Sequence, residues 1–175
     1  MRFAVLVSFA ILAVAAPAHA HQSSIKYVDI TVDGERAVVR ITIAPPDVTE
    51  PLGLPDDAKP SVATAAVPAA AAYVQRWLTL SLAEDQPCVP AAPTALPAPD
   101  AQFVAVTWEA TCPGRIGRLA LDMTAFFALD KRHEAIVTIH PPGETSDPHI
   151  LRAGNPTARL YSGQSASLGS WIAYG

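Results

Sequence analysis

Two neighbouring stretches constrain this chain more than anything else in it. Ser24–Asp33 (SIKYVDITVD) and Glu35–Ile43 (ERAVVRITI) partly alternate and are rich in β-branched residues. They meet at Asp33-Gly34, a dipeptide that turns a chain back on itself. An amphipathic helix would repeat its apolar residues every three or four positions, so these stretches predict an N-terminal β-hairpin. Ala44-Pro45-Pro46 ends it, because proline cannot donate to a strand ladder.

The same grammar continues downstream. RWLTLSL (Arg76–Leu82), FVAVTWEA (Phe103–Ala110), Arg118–Met123, EAIVTI (Glu134–Ile139) and Ala158–Tyr161 each read as a short strand. In FVAVTWEA, alternation puts Val104, Val106 and Trp108 on one face, the core face, and Phe103, Ala105, Thr107 and Glu109 on the other. Residues 47–73 hold turn formers and then an alanine-proline run, which predicts a loop or a short helix from Pro68 through Val74. Cys88–Ala101, rich in proline and alanine, reads as a loop, and Thr124–Ala128 (TAFFA) as aromatics packed at a short turn. About seven short strands between Gly/Pro turns, without the regular helices of a βαβ layout, predict an all-β, Ig-like β-sandwich carrying a short Ala-rich helix or loop insertion.

The first twenty residues stand apart. Arg2, an apolar run from Phe3 to Ala16 and the small-x-small signal Ala18-His19-Ala20 form a secretory leader. The expected organisation is therefore a signal peptide over 1–20, one domain over 21–165 and an uncharged apolar tail over 166–175. The expected location is the periplasm or the exterior. Net charge is -4 for the whole chain, and loss of Arg2 with the leader leaves about -5. That sign, with no Lys/Arg cluster to follow a phosphate track, argues against nucleic acid as a partner. No stretch after residue 20 is long and apolar enough to span a bilayer, so no direct membrane span is expected after cleavage. Cys88 and Cys112 are the two cysteines. In an oxidising compartment they predict a disulfide.

Chemistry-bearing patterns are few. Cleavage after Ala20 would leave His21 first, with its α-amine and ring nitrogen both free to chelate. A second histidine, His133, His140 or His149, would complete a site suited to copper or nickel. His133 and His140 lie seven apart, which points them to opposite faces of a regular strand. Asp130-Lys131-Arg132 before His133 reads as a solvated turn, or as part of a docking surface. An acid–base pair could be drawn from Asp122, Asp130 and Glu134, but no spacing sets their separation. There is no G-x-S-x-G elbow, no H-E-x-x-H and no P-loop. The expectation is a protein that is not an enzyme, with no catalytic residues and no organic cofactor. Trp77 and Trp108 read as core or interface groups, while Trp171 lies in the uncharged tail.

Taken together these features resemble the extracytoplasmic N-terminal domain of HupE/UreJ-like membrane proteins. The resemblance rests on the leader ending before His21, the first strand with its Gly34 turn and Asp47–Leu54 (DVTEPLGL). It rests further on Cys88, the FVAVTWEATC stretch and above all LALDMTAFFALDKRHEAIVTI. It covers most of residues 21–165. It implies a β-rich exported domain placed before membrane helices, in a family some of whose members serve nickel or cobalt uptake. The family's His/Asp motif of the first membrane helix is absent, so no transport residue carries over. The expected role is an accessory or interaction domain whose partner is an inner-membrane, permease-like protein.

Overall fold

The computed structural model describes residues 25–44, 46–49, 51–53, 60–82, 86–97, 103–143 and 147–161; within 60–67 it describes the backbone alone. The leader, His21 and the tail 166–175 lie outside the described residues. The elements are β1 (Ile25–Asp33), β2 (Arg36–Ile43), α1 (Pro46–Thr49), α2 (Pro60–Gln75), β3 (Thr79–Leu82), β4 (Gln86–Pro87), β5 (Val89–Pro90) and β6 (Thr94–Pro97). They continue with β7 (Val104–Thr111), β8 (Arg118–Asp122), α3 (Thr124–Leu129), β9 (Glu134–His140), β10 (His149–Arg152) and β11 (Thr157–Tyr161).

The hairpin forms as its sequence predicts. β1 and β2 pair antiparallel from Tyr27↔Thr42 to Asp33↔Arg36, and Gly34 takes the left-handed φ of 62° that the turn requires. The hairpin is the middle of a seven-stranded sheet of order β10-β9-β1-β2-β7, with β5 and β6 sharing the far edge of β7. Pairing is antiparallel except between β1 and β9, which run parallel from Ile25↔Glu134 to Thr31↔His140. A second sheet, of order β11-β8-β3-β4, has four strands. Inward residues of both sheets join one hydrophobic core, including Ile30, Ile41, Trp108, Leu80, Leu121 and Phe126. Val106 and Trp108 are buried as alternation along β7 predicts.

Several expectations are corrected. The domain is mixed, with two sheets and short helices, rather than all-β. The helix begins at Pro60, eight residues before the predicted start, and carries Pro68 inside it. The alanines on both sides favour helix enough to tolerate the hydrogen bond that the proline removes. The chain leaves that helix through Arg76 and Trp77, whose N–H groups donate to the carbonyls of Tyr73 and Val74. The following strand therefore starts at Thr79 rather than Arg76. The expected loop after Cys88 holds the short strands β5 and β6, recruited by the free edge of β7. TAFFAL is a one-and-a-half-turn helix rather than a turn.

Cys88 and Cys112 are bonded, as expected, and no described cysteine is free. Both are buried, where the bond ties the start of β5 to the end of β7. Their separation of 24 residues makes the cross-link worth about 3 kcal/mol through the unfolded chain. The paired Cys88→Ser, Cys112→Ser variant should lose about that much stability in urea titration, and thiol labelling of the native protein should find neither cysteine reactive.

Candidate functional site

The largest departure from ordinary β-sheet chemistry lies at one end of the large sheet. Along β1 the residues facing the core are Lys26, Val28, Ile30 and Val32. Lys26 is completely buried. β2 leaves the sheet beside it, because Tyr27 pairs with Thr42, and the chain turns at once into α1, with the Asp47 N–H donating to the Ala44 carbonyl. That turn brings Asp47 to Lys26, Nζ to Oδ2 at 2.7 Å, with the carboxylate only 9% exposed. The same oxygen accepts the N–H of Ala44 at 3.1 Å, so the carboxylate also caps the turn that delivered it. Burial holds the Lys26 ammonium below its ordinary pKa, and the hydrogen bond and charge of Asp47 oppose that shift.

Aromatic rings close the site. Phe126 of α3 stacks at about 5 Å against Trp77, Phe127 and His133, and its ring lies 5.8 Å from the Lys26 ammonium. His133 is here because β9 starts at the same sheet end as β1, a consequence of their parallel pairing. Three polar atoms around these rings are buried without a hydrogen-bond partner among the described residues: Tyr73 Oη, Trp77 Nε1 and His133 Nδ1. Burial first, and then the Lys26 charge, lower the His133 pKa, against the pull of Asp47 and Asp130. The folded protein thus prefers the neutral imidazole. Its contribution is fully present above the unfolded value of about 6.5 and is lost as pH falls toward the lower folded value. NMR titration should place His133 below 6.5. His133→Gln should remove part of the loss of stability between neutral and mildly acidic pH.

The structure separates the other sequence candidates. His133 and His140 stand at opposite ends of β9, roughly 20 Å apart at the rise of a strand. His140 Nε2 lies 3.1 Å from Asp29 Oδ1 on the outer face. His149 opens β10, opposite Val137. No group of three or more potential metal ligands occurs among the described residues, and a cation on His133 would face the ammonium of Lys26. The expected chelate therefore rests on His21, outside the described residues. Asp130 is clamped by Arg132 through its side chain and backbone, which holds its carboxyl well below the usual carboxylate range. Glu134 binds Arg152 at 2.7 Å, and Asp122 accepts the N–H of Thr124. Each carboxylate in the supposed acid–base set thus has a structural partner.

A cleft beside the disulfide, lined by Leu80, Pro87, Cys88, Trp108 and Ala110 among others, has a volume of about 100 Å³. Ligand pockets usually run from about 300 to 1,000 Å³, so it is too small for a metabolite.

The surface is more telling. Eight large hydrophobic side chains are exposed among the described residues. Six of them, Ile25, Tyr27, Val38, Val89, Leu96 and Ile150, project from the outer face of the large sheet by register, and Phe103 continues that face just before β7. Leu129 alone lies elsewhere, on α3. The outer face of the small sheet carries Thr79, Ser81, Asp122, Thr157 and Arg159 instead. Scattered exposed apolar residues are normal on proteins, but here seven of the eight share one face. Alternation in the sequence assigns each strand's faces, but the alignment of these residues across strands needs the register.

No protein-family model matches the chain, and no curated protein is significantly similar to it.

Proposed function

We propose that this is a non-enzymatic, exported accessory domain that works through the outer face of its large sheet, beside an inner-membrane, permease-like protein. The observation that carries the reading is the concentration of exposed large hydrophobics on that face. The secretory leader and the disulfide support an extracytoplasmic location. No helix among the described residues is long and apolar enough to cross a membrane. On this reading the domain is a relative of the exported N-terminal domains of HupE/UreJ-like membrane proteins. It also takes the two sheets as the halves of an Ig-like sandwich, supported by their shared core.

Membrane fractionation tests it. The exported protein should sediment with membranes, and the double variant Tyr27→Asp, Ile136→Asp should move to the soluble fraction. Arg159→Asp, on the small sheet, should not change its distribution. Full retention of the double variant, or solubility of the parent protein, would overturn the reading. Retention on protein-free lipid vesicles would assign the face to lipid instead.

A further inference from the structure

Aligned by register, the outer face carries one nearly apolar row with a polar row beside it, and Val38 and Val89 stand apart beyond the polar row. Ile150 lies opposite Ile136, Ile136 opposite Tyr27, Tyr27 opposite Thr42, Thr42 opposite Ala105, and Ala105 opposite Leu96. A single row thus crosses six strands, interrupted by Thr42 and by Ala105, which is fully buried beneath its neighbours. Ile25 and Phe103 widen it toward the end of the sheet that holds Lys26. The next row on the other side is polar: Thr138, Asp29, Arg40, Thr107 and Thr94.

Size limits what this row can hold. Five strand spacings make it about 24 Å long, and at one to two residues wide it offers on the order of 300 Å². A stable contact between two folded surfaces buries about 800 Å² on each side. The strip is thus too small for a second copy's sheet face, but an extended segment of about seven residues spans it. Charge narrows the choice further. At the apolar border the charged side chains Glu134 and Arg152 bind each other at 2.7 Å, so a charged segment would find no compensation along the row. The polar row supplies donors and acceptors for the backbone of such a segment.

We infer that the row Ile150–Ile136–Tyr27–Leu96 binds one extended, uncharged apolar segment of the membrane partner. This rests on the interaction-domain reading above and names the chemistry of its partner. The test is photocrosslinking in the producing cell, with a benzophenone side chain at Tyr27 or Ile150, and at Arg159 as the control, followed by mass mapping of the crosslinked peptide. The expected adduct joins Tyr27 and Ile150 to the same uncharged apolar stretch of one membrane protein. Ile136→Glu should lower its yield at least about tenfold, as loss of a central apolar contact does. Ile136→Leu should preserve the yield, and near-UV circular dichroism should show both variants folded. If Ile136→Glu does not fold, Ile136→Thr takes its place. Adducts mapping to a charged or folded surface of a membrane protein would overturn this inference and leave the interaction reading standing. Adducts confined to residues 166–175 or to a second copy would overturn both, as would equal yield at Arg159.

Discussion

Replacing Asp47 with alanine should destabilise the domain by about 3–5 kcal/mol, because it leaves the ammonium of Lys26 buried beside a missing counter-charge. Lys26 is wholly inaccessible and 2.7 Å from the carboxylate. Desolvating the pair already costs free energy, so the intact pair need not be a net source of stability. The asymmetry identifies the effect. Lys26→Met, whose side chain has similar length and no charge, should cost less than Asp47→Ala. The double variant Lys26→Met, Asp47→Leu should recover most of the loss and can match the parent. Urea titration of the four proteins gives the coupling between the two positions directly. Additive losses in the double variant would mean that Asp47 acts mainly as the cap on the Ala44 N–H, a contribution nearer 1 kcal/mol.

Trp108→Ala should cost a similar amount, about 3–5 kcal/mol, through a different mechanism. Trp108 is 4% exposed in the middle of β7, opposite Val39 in the ladder. Removing its indole deletes apolar contact and enlarges the cleft beside the disulfide, whose walls the bonded Cys88 prevents from collapsing freely. Trp108→Phe should cost markedly less. Both variants can be read by thermal unfolding followed by far-UV circular dichroism. A loss below about 1 kcal/mol for the alanine variant would mean that the site repacks, contrary to the close packing expected of a core.

Much of the large sheet is legible one strand at a time. Asp33-Gly34 with alternating flanks is enough to place the hairpin, and FVAVTWEA declares Trp108 as core, because alternation is a local property of the backbone. The disulfide was expected from two cysteines behind a leader-like N-terminus. The buried pair escaped such reading. Lys26 shares the parity of Val28, Ile30 and Val32, which is a signal that a strand position meant for the core holds a charge. Its partner Asp47 lies in a stretch that reads locally only as a turn. Helix α2 was legible in composition but misplaced at its start, since Pro68 looks like a beginning when it stands inside the helix.

Local sequence therefore determined the longer strands, the faces of the hairpin and β7, and the cysteine pair, while β4, β5, β6 and β10 were set by the edges they pair with. The tertiary structure decided what depends on distant residues meeting. Parallel pairing of β1 with β9, more than a hundred residues apart, carries His133 to Lys26 and separates it from His140. The register across six strands turns isolated apolar residues into one row. Periodicity tells a side chain which way to face, but only long-range pairing selects its neighbours, because hydrophobic burial is non-directional and the ladder between strands sets their alignment.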